Sequence, residues 1–416
     1  MKNRYFQGML VGLLVSALFF SIVFAGYVKS NSILSAEGSN GSTNLTTEAD
    51  SDDSLMSKSV RLKLSKIKSI IDTYYLNEVD EEKMTEGMYK GLVSSLEDPY
   101  SVYYTKDEFA ALMESSSGSY CGIGAYVSQD VKTGIITIVK PFEGGPAYEA
   151  GVLPGDIIYK VLGEEVTGKD LSEIVSKMKG EEGTTVDIEI IREGESEPIK
   201  LTIERRTVEV PTISYEMLDN KVGYIQITEF DEVTGPQFRS AIEDLDKQGM
   251  KGLVIDLRNN PGGLLDTVCD MLDRMLPEGL IVYTEDKNGT RTEEKKSTAE
   301  ESFDKPLVVM INGNSASASE VFAGAIQDYG VGTILGTTSF GKGIVQSVIP
   351  LSDGSGVKVT VSKYYTPKGR NIHGIGIEPD VVVELKDELK TKVTIDKSED
   401  NQLQEAIKII KEKSGK

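Results

Sequence analysis

The stretch Leu307-Val308-Val309-Met310-Ile311-Asn312 runs into Ser315-Ala316-Ser317-Ala318-Ser319-Glu320 and then into a helix-like run from Val321 to Tyr329. A short apolar run, a small-residue turn and a longer apolar-periodic segment read as strand, turn and helix. The same alternation surrounds it. Val222 to Ile227 and Gly252 to Leu257 read as strands, Thr234 to Lys247 and Leu264 to Leu276 as helices, so the region beyond residue 220 is predicted to be α/β. Glu293 to Asp304 is charged and reads as an exposed excursion, and Asn401 to Lys411 as a closing amphipathic helix.

The serine turn has a bland reading. Ser317-Ala318-Ser319-Glu320 is a capping box, and serine is a preferred helix N-cap. The chemical reading uses the same geometry, because a hydroxyl at a helix N-terminus has N–H donors near it for an oxyanion. Position alone does not choose among Ser315, Ser317 and Ser319. With one histidine, His373, the 416-residue chain has little material for a Ser-His-Asp apparatus. A serine activated by a neutral lysine is the known alternative.

Gly341-Lys342-Gly343, with Gln346 beyond it, supplies such a lysine. Gly336 to Lys342 fits the opening of a phosphate-binding P-loop, but Gly343 stands where the Mg²⁺-binding Ser or Thr belongs, and a strand-like run follows. Nucleotide binding is therefore rejected. A solvated surface lysine is the commonest fate for that residue type, whereas burial would lower its pKa and make it a base. If Lys342 begins the strand, Gln346 falls on the same face and could hold the amine. Asp256-Leu257-Arg258-Asn259-Asn260-Pro261-Gly262-Gly263 closes a strand with paired glycines whose N–H groups could serve an oxyanion. The bland reading is a plain strand-to-helix connection, common in α/β folds, and alone the motif only suggests the chemical one.

Towards the N-terminus the pattern changes. Gly145-Pro146-Ala147-Tyr148-Glu149-Ala150-Gly151-Val152-Leu153-Pro154-Gly155-Asp156-Ile157-Ile158 resembles the helix, glycine turn and Gly-Asp strand opening of a PDZ domain, over residues 116–205. The resemblance implies that the loop Cys121-Gly122-Ile123-Gly124 receives a ligand's terminal carboxylate, with the peptide added as a further strand. Before it, Val60, Leu64, Ile67, Ile71 and Tyr74, then Met84, Met88, Leu92 and Leu96, recur at helical spacing, and Asp98-Pro99 stops the second helix. Thr105 and Glu108 form a capping box for a third.

Lys2 and Arg4 precede an apolar run from Met9 to Val28, long enough to span a bilayer. An uncleaved anchor is favoured over a signal peptide cut near Val23-Phe24-Ala25. Either way the bulk of the chain is expected outside the cytoplasm, at the cell membrane or secreted. Lys plus Arg total 45 against 66 Asp plus Glu, a net charge of −21, which argues against nucleic acid as a partner. Cys121 and Cys269 lie outside any metal-like spacing, and Cys269 falls on the apolar side of its helix with Leu265 and Leu272.

Taken together, residues 60 to 386 resemble the carboxy-terminal processing peptidases, or tail-specific proteases. The expected architecture is multidomain α+β. It comprises an anchor or signal over 1–28, a linker over 29–58, a helical domain over 59–115, the PDZ domain over 116–205, a peptidase domain of ClpP/crotonase type over 206–386 and a helical extension over 387–416. The resemblance implies Ser317 as nucleophile, Lys342 as general base and Gln346 as its orienting partner. It implies oxyanion donors at Ala318 and Gly263, with Gly262 the alternative. It implies no metal or organic cofactor and no catalytic role for His373. Expected partners are protein or peptide substrates with free apolar C-termini, the membrane, a regulatory protein and a second copy of the chain. The competing reading is a catalytically silent, membrane-anchored PDZ scaffold.

Overall fold

The computed structural model describes residues 55–298, 300, 302–392 and 394–415. The expected anchor, Met9 to Val28, lies outside these residues. Among the described residues no helix is long and apolar enough to cross a membrane.

Residues up to Val79 form one unit, whose described part, residues 55–79, holds helix Lys58–Tyr74. Ser57 caps it by accepting from the Val60 N–H.

Residues 80–416 form the second unit. Its central sheet runs Ile213–Leu218, Val222–Ile227, Gly252–Asp256, Leu307–Ile311, Thr333–Gly336, Val381–Val382, and every pair but the first is parallel. The inner strands are buried on both faces, so they read as continuous apolar runs. Alternation divides their side chains between two cores. Ile225, Ile255, Val309 and Ile311 pack with helices Thr234–Lys247, Leu265–Asp273 and Ala318–Tyr329. Tyr224, Val254, Val308 and Met310 pack with Leu403, Ala406 and Ile410 of helix Asn401–Ser414. Both cysteines are free thiols; Cys269 is in the first core, and burial pushes its pKa up to about 12.

A second sheet is built on Gly356–Tyr365. It pairs with Ile344–Pro350, with Gly279–Glu285 and with the short strand Val102–Tyr104, which follows helix Glu81–Ser94. Arg291–Ser297 pairs with Gly279–Glu285. The charged excursion expected from Glu293 onward is thus partly a strand. Residues 291–294 are exposed on both faces, and the run holds no apolar side chain, which removes the alternation by which a strand is read.

The third sheet, Ala125–Gln129, Ile136–Pro141, Ile157–Val161, Thr185–Ile191 and Ile199–Glu204, is antiparallel throughout and covered by helix Leu171–Met178. Asp156 of the Gly-Asp motif is buried. It accepts two 2.7 Å hydrogen bonds from Arg192 and one from the Leu153 N–H, fixing the turn into its strand.

Candidate active site

The carboxyl ends of four neighbouring parallel strands converge, which is where open α/β sheets place their sites. Ile227 leads to Phe230, Asp256 to Gly262-Gly263, Ile311 to Ser317, and Gly336 to Lys342.

The three serines of the turn part company here. Ser315 is fully buried, donates to the Leu257 carbonyl at 2.7 Å and accepts from the Asn312 N–H. Ser319, equally buried, donates to the Asn260 carbonyl at 3.0 Å. Both hydroxyls thus bind the turn to the 257–260 loop. Ser317 alone is half-buried, with φ 54° and ψ −116°, a backbone region that non-glycine residues avoid.

Two buried side chains hold that turn to the lysine loop. The Glu320 carboxylate accepts from the Ser317 N–H at 2.9 Å and the Lys342 N–H at 2.8 Å through one oxygen. Through the other it accepts from the Gly341 N–H at 2.7 Å and the Ser339 hydroxyl at 2.6 Å. The Tyr364 hydroxyl lies within donating distance of the Ser317 and Lys342 carbonyls, at 3.1 and 2.5 Å. Glu320 is therefore more than the arm of a capping box, and Tyr364 drew no attention in the sequence.

Lys342 is half-buried, and its amine is held below the usual lysine range by burial first and by the charge of Lys358 second. Asp98 and Glu320 act in the opposite sense. Among the described residues no hydrogen bond joins the Ser317 hydroxyl to the Lys342 amine. The amine instead sits over the Tyr100 ring, 4.7 Å from its centroid. The strand starts at Ile344, after Lys342, and opposite its Val345-Gln346 step the partner strand carries one extra residue, Val361. Lys342 thus lies outside the strand and its alternation does not reach the lysine; the Gln346 amide donates to the Thr360 hydroxyl at 3.4 Å. His373 contributes backbone: a Cβ on Gly343 would stand 2.6 Å from its nitrogen, so glycine lets the lysine loop lie against it.

The paired glycines are not equivalent. The buried Gly262 N–H donates to Asn260 Oδ1 at 2.8 Å. Gly263 is exposed, and among the described residues neither its N–H nor that of Ala318 makes a hydrogen bond. Gly262 is pressed against the serine turn: a Cβ there would lie 2.8 Å from the Ser317 Cβ and 3.0 Å from the Ala318 nitrogen, at φ 107°. Behind the loop, Arg258 pairs with Asp256 at 2.6 Å and with Asp400, the cap of the last helix, at 2.7 Å. Among the described residues no group of three or more His, Cys, Asp or Glu side chains is placed to hold a metal ion.

In the third sheet Ala125–Gln129 is an edge strand. Between it and helix Leu171–Met178 lies an apolar cavity of about 210 Å³, lined by Ile123, Val127, Phe142, Val175 and Met178, with Lys179 at its rim. Of the four residues expected to receive a carboxylate, Ile123 lines the cavity. Cys121 and Gly122 belong to strand Ser119–Gly122, paired with Arg206–Glu209, and Gly124 makes the turn at φ 72°. Tyr120, beside them, also lines the cavity, with Lys179 over its ring.

Comparison with known proteins agrees with this arrangement. Residues 221–383 match the model of peptidase family S41, residues 137–192 that of a PDZ domain, and residues 21–108 that of the activating protease CtpB N-terminal domain. The carboxy-terminal processing protease CtpA of Bacillus subtilis is 41% identical over 79% of this chain and 70% of its own length. The chain belongs to peptidase family S41. Carboxy-terminal processing protease CtpB of the same organism is 38% identical to this peptidase over 82% of the chain and 71% of its own length. The structure of a putative S41 protease from Bacteroides fragilis shares the fold, at 18% identity and a TM-score of 0.51, covering 82% of this chain and 93% of that one. The peptidase is thus a serine-type enzyme of the carboxy-terminal processing group, with a PDZ domain and a mixed helix-and-sheet fold.

Proposed function

We propose that this peptidase is a membrane-anchored, extracytoplasmic endopeptidase that reads the C-terminal tails of protein substrates with its PDZ domain and cuts them with Ser317 and Lys342. The observation that carries the reading is the joined pair of loops. Ser317, the one serine of the turn that is neither fully buried nor bonded to the 257–260 loop, shares the Glu320 carboxylate with the loop of a half-buried lysine. Neutral Lys342 takes the Ser317 proton as the oxygen attacks the scissile carbonyl. The N–H groups of Ala318 and Gly263 receive the oxyanion; Gly262 is disfavoured because Asn260 already holds its N–H. The lysinium then protonates the leaving amine, and water, deprotonated by the same lysine, releases the acid from the acyl-enzyme. Gln346 orients the amine once the amine leaves Tyr100.

A substrate tail would add to the edge strand Ala125–Gln129, its apolar end in the cavity beside Ile123 and Val175. Lys2 and Arg4 ahead of the apolar run support an anchor with its N-terminus in the cytoplasm.

The test is cleavage of an unstructured protein with an apolar tail by wild type and Ser317→Ala, with the tail carboxylate free or amidated. Wild-type cleavage weakened by amidation and absent from Ser317→Ala supports the proposal. Equal cleavage by both enzymes removes Ser317 from the chemistry, and no cleavage by either favours the silent scaffold.

A further inference from the structure

The turn that stops helix Glu81–Ser94 lies against the candidate base. Asp98 accepts from the Tyr100 N–H at 3.1 Å and from the Ser101 hydroxyl at 2.6 Å, which fixes Asp98-Pro99-Tyr100-Ser101 as a compact unit. The buried Ser101 oxygen accepts in turn from the Thr360 N–H at 3.1 Å, and Val102–Tyr104 then pairs with Gly356–Lys358. Thr360 is also the residue whose hydroxyl holds Gln346. One small turn therefore anchors the strand that carries the glutamine's partner and puts an aromatic face under the lysine amine.

We propose that the Asp98–Ser101 turn is a positioning element of the active site: it parks the Lys342 ammonium on the Tyr100 ring, away from Ser317, so that the base must leave the ring to act. The proposal rests on the Ser317–Lys342 reading. An aromatic face attracts a cation and has no comparable hold on a neutral amine. The ring therefore acts on the charged, inactive form of the base alone. The other groups facing the amine are Asp98 from the same turn and Glu320 from the nucleophile's helix, which favour the charge, and Lys358 from the neighbouring strand, which opposes it. The turn thereby offsets part of the burial that makes Lys342 a base. It keeps the resting amine protonated over a wider pH range and out of line with Ser317.

The sign of the effect separates this role from simple packing. Replacing the half-buried ring by a branched apolar side chain removes the cation's partner, so Lys342 should lose its proton at lower pH, whereas mere loosening of the packing would admit water and raise the midpoint. The full chain would be labelled with ¹³Cε-lysine in a Ser317→Ala background, and the Lys342 signal assigned by its loss in Lys342→Arg. Tyr100→Leu should titrate about 0.5–1.5 pH units below the parent. Tyr100→Phe, which keeps the face and loses only the hydroxyl, should titrate with the parent. Asp98→Asn should move in the direction of Tyr100→Leu. In the enzyme with Ser317 intact, the acid limb of kcat/KM should shift by the same amount for each variant. A Lys342 midpoint unmoved or raised in both Tyr100→Leu and Asp98→Asn overturns the proposal. If the midpoints move as expected while wild type cleaves nothing, the turn's hold on the amine stands and the Ser–Lys reading alone fails.

Discussion

Glu320→Gln tests the joint between the two loops with almost no change of volume. The carboxylate accepts four hydrogen bonds of 2.6–2.9 Å, three from backbone N–H groups, and the residue is fully buried. An amide keeps one acceptor oxygen and turns an NH₂ group towards the remaining two donors. If the NH₂ faces Ser317 and Lys342, two buried N–H groups lose their partner, at about 1–3 kcal/mol each. If it faces Ser339 and Gly341, the Ser339 hydroxyl can rotate and one N–H is left, so this cheaper orientation is the one expected, at about 1–3 kcal/mol. That is comparable with the roughly 1–3 kcal/mol of backbone strain at a residue such as Ser317, which the surroundings must hold in place. A displacement of about 1 Å at a reacting group costs on the order of 10²-fold in rate. The variant is therefore expected to lose about 10²-fold or more in kcat with KM within a few-fold, and to melt several degrees lower. Steady-state kinetics on a fluorogenic peptide, with calorimetry on the same preparation, reads both. A variant with kcat within twofold of wild type and an unchanged melting temperature would refute the role given to Glu320.

Gly262→Ala should be inactive, or nearly so, in the same assay, because the new Cβ would stand 2.7 Å from the Ala316 carbonyl oxygen and 2.8 Å from the Ser317 Cβ. Wild-type activity there would mean that the glycine loop is not fitted to the serine turn. Asp231 is buried near Glu229, and burial first, then that charge, raises its pKa from 3.8 to about 6. A carboxyl raised on folding contributes stability below pH about 4, which is lost as pH rises through 6. Asp231→Asn should therefore be more stable than wild type at pH 7.5, by at most about 3 kcal/mol, and lose that advantage near pH 4. Urea unfolding at the two pH values checks this, and equal differences at both would contradict it.

The strand, turn and helix around Ser317 were legible because a parallel strand buried on both faces leaves a continuous apolar run. The Gly-Asp turn of the PDZ domain was legible because its determinants are local. What the sequence hid is long-range or irregular. Glu320 reads as a helix cap since one partner is three residues away, whereas its other partners, Ser339, Gly341 and Lys342, come from a different strand end. The strand begins only at Ile344, so the alternation that was expected to set the glutamine beside the lysine does not extend to Lys342. Asp98-Pro99 signals a helix stop and nothing in its pattern says which side chain Tyr100 will meet. The choice among three serines likewise needed the Leu257 and Asn260 carbonyls, about sixty residues upstream.

The central claim is that Lys342 activates Ser317. Its most direct test is reaction of the full chain with a fluorophosphonate at pH 8, the adduct located by peptide mass mapping, in wild type, Ser317→Ala and Lys342→Ala. The account predicts one adduct, on Ser317, absent from Ser317→Ala and slowed at least about 10²-fold in Lys342→Ala. Labelling that persists in Ser317→Ala, or proceeds at the wild-type rate without Lys342, would contradict it.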